Sequence, residues 1–192
     1  MESDLTVEMV ENFSPEDAKA MDKPAEMFYC KPSDNTYKIK FIRYKLRDYD
    51  SGITLADLEH PDIDEEQLLS DEIPDEERVI NYKFGPDFLD LQTIGTQLEF
   101  AVGDKEVKDF LMIEKHYFKD RILKDYMFDF KFCIPNTVNT WEQIYDLPEL
   151  TDEEKEEIIE NPYEVKSDTF FFVQDKLVMH SRAIYDYSPF DV

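Results

Sequence analysis

Residues 110–146 read FLMIEKHYFKDRILKDYMFDFKFCIPNTVNTWEQIYD, and their pattern decides the fold. Phe110, Met112, Glu114, His116 and Phe118 alternate with Leu111, Ile113, Lys115 and Tyr117. Tyr126, Phe128, Phe130, Phe132 and Ile134 then recur at every second position, against Met127, Asp129, Lys131 and Cys133. Period two puts each set on one face of a strand. The stretch predicts two strands, then a polar loop with a helical turn at Trp141–Tyr145. A comb of rings on one strand face either fills a core or lines a hole.

The alternation continues on both sides of this stretch. Residues 36–47 predict a long strand whose phase slips at Phe41-Ile42, the sign of a β-bulge. A DYDSG turn at 48–52 leads to a partner strand over 53–58. Residues 78–84 and 97–102 predict further strands, with Phe88–Leu91 continuing the first of these after a turn at Gly85-Pro86. Thr169–Gln174 carries Phe170, Phe171 and Phe172 in a row, so this strand is expected at the centre of a sheet with both faces covered. Residues 176–187 alternate Leu177, Met179, Ser181, Ala183, Tyr185 and Tyr187. Helical signals are few. Thr151 and Glu154 form a capping box for a short surface helix over 150–160. Many strands and few helices give an all-β, immunoglobulin-like two-sheet β-sandwich.

Two segments stand apart from this pattern. Residues 1–26 are expected to be an acidic, mostly disordered tail with a short helix started by Ser14 and Pro15. The sandwich domain then spans 27–192. Residues 60–77, HPDIDEEQLLSDEIPDEE, predict a solvated acidic connection.

Composition excludes several functions. With 46 acidic against 21 basic residues, the net charge of −25 disfavours nucleic acid and anionic membrane surfaces and favours basic partners. No apolar run is long enough to span a membrane, so no stable membrane insertion is expected. The two cysteines, Cys30 and Cys133, do not form a disulfide framework, and the acidic N-terminus lacks the features of a signal peptide. A cytoplasmic location is the default expectation.

Catalytic and metal-binding patterns are lacking as well. His60, His116 and His180 lie far apart, and no phosphate loop, nucleophile elbow or dinucleotide fingerprint occurs, so neither an enzyme nor a cofactor is expected. Glu114 and His116 share a strand face with Phe110, Met112 and Phe118. A carboxylate among core residues needs a partner. The two can satisfy each other, act as general acid and base, or form a polar mouth on an apolar cavity.

The runs YKIKFIRYKLRDYDSG, YKFGPDFL, EFAVGDKEVKDFLMIEKHYF, FDFKFCIPNTVNTWEQIYD and NPYEVKSDTFFFVQDKLVMH closely resemble the uncoordinated-119 (retinal protein four) family. That family is related to the phosphodiesterase delta subunit and, more distantly, to the Rho GDP-dissociation inhibitor. The resemblance implies a sandwich whose sheets are held apart by an apolar pocket. The pocket takes the acyl chain of N-myristoylated or lauroylated proteins, including G-protein alpha subunits and ciliary cargo, and a GTP-bound Arf-like small GTPase promotes release. It also implies the cilium or centrosome as a further location. Tyr82 and Glu114 match positions that hold the cargo's N-terminal segment, with His116 beside them. Phe88, Tyr126, Tyr145, Leu147 and Phe171 match pocket-lining positions. Phe171 replaces a Tyr of the family and Leu147 a Phe, while Lys131 stands where Gly is common and is expected to matter little. A prenyl carrier, or an interaction module with a filled core, remain the alternatives.

Overall fold

A computed structural model describes residues 12–59 and 64–190 of the chain. Its framework is two facing sheets. The four-stranded sheet has the order β2-β1-β4-β7, built from β1 (Lys40–Asp48), β2 (Thr54–Glu59), β4 (Thr93–Ala101) and β7 (Val138–Asp146). The five-stranded sheet has the order β3-β9-β8-β5-β6, from β3 (Val79–Lys83), β5 (Val107–Phe118), β6 (Arg121–Cys133), β8 (Val165–Val173) and β9 (Lys176–Asp186). All pairings are antiparallel except β3 with β9. The sandwich read from the alternation is therefore the observed fold, and β8 lies at the centre of its sheet. The expected bulge is present too, as the register of β1 on β4 shifts between Phe41 and Arg43.

Three strand expectations change. Trp141–Tyr145 is not a helical turn but part of β7, which pairs with β4 along its whole length. Its inward set is Asn139, Trp141, Gln143 and Tyr145 while Val138 and Ile144 face out, so two polar residues lie inside and two apolar ones outside. Phe88–Leu91 is not extended: Pro86–Asp90 forms a 3-10 turn. The aromatic comb of β6 is also interrupted. Lys131, at φ +74°, pairs with Phe110 next to Asp109, itself at φ +50°, where the β5–β6 register shifts twice. Beyond that bulge the faces exchange: Cys133 is buried, while Phe132 is 45% and Ile134 59% exposed.

The N-terminal segment is docked along its described part. Ser14 caps α1 (Pro15–Ala20) by accepting from Asp17 N–H, as expected. Residues 13–30 then lie over the outer face of β5, β8 and β9. Phe13, Ala18, Ala25 and Tyr29 pack there on Ile113, Phe170 and Phe172. Sequence polarity underestimates this contact, because two small residues and two rings suffice when the opposing surface is already aromatic. The buried Lys115 Nζ donates to the carbonyls of Lys19 and Met21 at 2.6 Å each, serving acceptors at the end of α1. Ala25 N–H donates to Asp168 at 2.8 Å, and Tyr29 N–H donates to His180 Nδ1 at 3.1 Å. This segment is the second cover that the Phe170–Phe172 run required. The tail before residue 12 lies outside the described residues.

In the acidic connection, Glu65–Leu68 (α2) and Asp75–Arg78 (α3) each form one helical turn, and residues 60–63 lie outside the described residues. The last helix, α4 (Asp152–Glu160), has the predicted Thr151–Glu154 capping box. It is more than a surface element, since Ile158 is fully buried.

Candidate functional site: a cavity between the sheets

Inward side-chain size along the five-stranded sheet decides where the two sheets touch. At one end Phe100, Phe110, Phe130, Trp141 and Phe171 fill the space, with Phe110 and Trp141 ring centroids 5.6 Å apart. At the other end Phe118, Ile158, Val165 and Tyr187 form a second cluster. Between them the register places Glu114 beside Thr169, and Thr169 beside Ser181. The next inward row is His116, Ser167 and Ala183. Two successive rows of small or polar residues cannot reach the opposite sheet. The result is a cavity of ≈ 330 Å³.

One side of the cavity is shut and the other is the more exposed. Tyr126 and Tyr145 rings lie 4.4 Å apart across the β6–β7 gap, and Tyr126 Oη donates to the Asp146 carbonyl at 2.9 Å. On the β2–β3 side the cavity wall is most exposed, at Leu58 (41%) and Ile80 (40%). α4, through Ile158, and Leu150 just before it close the end of the sandwich, and the helix is tied down by Lys155–Asp90 and Arg121–Glu154 ion pairs.

All eight residues singled out from the sequence stand on the cavity wall: Tyr82, Phe88, Glu114, His116, Tyr126, Tyr145, Leu147 and Phe171. Glu114 Oε1 is 2.5 Å from His116 Nε2, so the pair is mutually satisfied and faces the cavity together. Five tyrosines surround this carboxylate. Burial, and next to it the Glu114 charge, pushes the Tyr82 phenol up to about 12. Burial followed by Glu114 also raises Tyr126, Tyr145 and Tyr185, and burial, Tyr82 and Glu114 raise Tyr44. A protonated phenol can donate a hydrogen bond, as Tyr126 does to the Asp146 carbonyl.

Sequence reasoning missed Tyr44, Tyr185, Thr96 and Gln143 at the cavity wall. It also missed the meaning of Ser181 and Ala183. Two small residues inside an otherwise bulky inward stripe were the legible sign of a void. No group of His, Cys, Asp and Glu suited to a metal ion occurs among the described residues.

Residues 33–187, which include both sheets and the cavity, match the family described as GMP-PDE, delta subunit. The chain belongs to the unc-119 family. It is 45% identical over 177 residues to protein unc-119 homolog B-A of Xenopus laevis, covering 91% of this chain and 73% of the frog protein. It is 43% identical over 190 residues to the human protein unc-119 homolog B, covering 93% of this chain and 73% of that protein. Protein unc-119 of Caenorhabditis elegans is 41% identical over 174 residues, covering 91% and 79%. Within this unc-119 member, no helix among the described residues is long and apolar enough to cross a membrane.

Proposed function

We propose that this unc-119 protein is a soluble carrier for N-acylated proteins. It takes the alkyl chain of a myristoyl or lauroyl group into the cavity and holds the glycine-led segment at Glu114 and Tyr82. The observation that carries this reading is the cavity itself: apolar at both ends, with a carboxylate and several phenol donors at its middle. Phe88, Tyr126, Tyr145, Leu147 and Phe171 then contact the chain, and His116 orients Glu114. A filled-core interaction module does not accord with this void, and binding in it involves no bond-making.

The energetics support the reading. Roughly a dozen buried methylenes at ~0.8 kcal/mol each give on the order of 10 kcal/mol of gross transfer energy. A single acyl chain holds a protein to a bilayer only reversibly, so a soluble cavity can compete for it. The net charge of −25 keeps the loaded carrier off anionic leaflets. Release is assigned to a GTP-bound Arf-like GTPase bound outside the cavity. By linkage, that partner and the cargo must weaken each other's binding. The carrier works in the cytoplasm and delivers G-protein alpha subunits and other lipidated cargo, the cilium being one destination.

Titration with a fluorescent N-myristoylated, glycine-led peptide tests the reading. Saturable binding, with the bare peptide and a farnesylated peptide at least tenfold weaker, is expected. Equal binding of the bare peptide would overturn the carrier reading, and tighter binding of the farnesylated one would replace it by a prenyl carrier.

A further inference from the structure

Gln143 is a buried side chain, 4% exposed, in the cavity wall. On β4, Thr96 Oγ1 donates to Gln143 Oε1 at 3.1 Å. The other end of the amide is therefore the NH2 group, with two N–H donors. Its partner among the described residues is the Met112 thioether, 3.8 Å from Nε2. A thioether is a weak acceptor, and buried amide donors rarely lack a strong one. A flipped amide would set Oε1 against the sulfur, where no donor stands.

The position of this donor matters as much as its chemistry. Met112 and Glu114 are successive inward residues of β5, about 7 Å apart along the strand. Gln143 thus offers a donor at the Met112 level, and Glu114 offers an acceptor one step away. A trans amide presents its carbonyl oxygen and its N–H on opposite sides, so it is bonded fully only where a donor and an acceptor flank it.

Resting on the acyl-carrier reading above, we propose that Gln143 is a specificity-determining residue that donates to the carbonyl oxygen of the amide joining the fatty chain to the cargo. Glu114 accepts an N–H of the same segment, and Thr96 is a positioning residue that holds the Gln143 amide in its donating orientation. The cavity then reads the linkage as well as the chain. A thioether-linked prenyl group brings no carbonyl to this depth and leaves the Gln143 donors unmatched.

The test is a double-mutant cycle between protein and ligand. The probes are the myristoylated glycine-led peptide and an ether analogue in which –CH2–O– replaces the acyl amide. The proteins are wild type, Gln143→Leu and Gln143→Met, each checked for an unchanged fold by thermal melting. Wild type is expected to prefer the amide by about tenfold or more, and both variants to lose most of that preference while still binding the ether analogue. Thr96→Val is expected to lower the preference partly. Undiminished preference in folded Gln143 variants would overturn the assignment while leaving the carrier reading intact. Failure of wild type to bind the myristoylated probe would overturn both.

Discussion

Glu114 and His116 are two residues apart on β5, and their side chains meet at 2.5 Å inside a cavity that is otherwise walled largely by apolar and phenolic groups. Strand geometry alone points residues i and i+2 the same way. The void between the sheets is what leaves them facing a ligand instead of a packed core. Replacing Glu114 by Gln keeps the shape and removes the charge. Acyl-peptide affinity is expected to fall about tenfold. Tyr82, held at about 12 by burial and then by Glu114, should move back toward 10 without reaching it, since burial remains. An NMR titration of labelled tyrosines checks this, and an unmoved Tyr82 would refute the coupling.

The small row Thr169–Ser181 creates the cavity, so filling it should trade function for stability. Thr169→Leu is expected to add about 1 kcal/mol by apolar burial. That raises Tm by about 2–4 °C for a chain of this size. Acyl-peptide binding should drop more than tenfold. A variant that melts higher yet binds as wild type would mean the ligand lies elsewhere.

Lys131 holds a left-handed backbone, φ +74°, at the β6 bulge. A non-glycine residue there costs about 1–2 kcal/mol, of which glycine's greater freedom when unfolded returns up to about 1 kcal/mol. The Lys131–Asp129 ion pair is exposed and adds little. Lys131→Gly should therefore stabilise by about 0.5–1 kcal/mol in urea unfolding. A loss of stability would show that the ion pair or the side chain outweighs the strain.

His180 accepts from Tyr29 N–H through Nδ1, so its proton sits on Nε2 and points to Asp168 at 3.1 Å. Burial holds the ring below the ordinary imidazole value of 6.5, with Asp168 opposing and Arg182 and Arg78 assisting. Below pH of about 6.5 the unfolded chain binds a proton that the folded one resists. This contribution to stability is complete above that pH and is lost as pH falls below it. Wild type should thus lose Tm more steeply from about pH 6.5 to 5 than His180→Gln, in which this proton is absent. Parallel pH profiles would sink the assignment.

Much of the fold is readable from the chain. Period-two alternation specifies most of the strands, and the Ser14 and Thr151 caps mark two helices, because these signals depend on neighbours a few residues away. Glu114 on the Phe110–Phe118 face demands a partner on the strength of the alternation alone. The strand β7 escapes that reading because polar Asn139 and Gln143 alternate with Trp141 and Tyr145 on its inward face, while apolar Val138 and Ile144 face out. Asn139 and Gln143 look like loop residues until β4 is placed beside them.

Alternation within the chain assigns side chains to strand faces, and so puts Glu114 and His116 together among aromatic and aliphatic neighbours. That this face borders empty space follows from the packing of distant strands. That depends on the sizes of Thr169, Ser181 and Ala183, brought alongside β5 by register with β8 and β9. It depends equally on Phe110, Trp141 and Ile158 holding the sheets apart at either end. A void is a property of residues distant in the chain that fail to meet: the small Ser181 and Ala183 are visible in the β9 stripe, but what they face is set by register with β8 and β5.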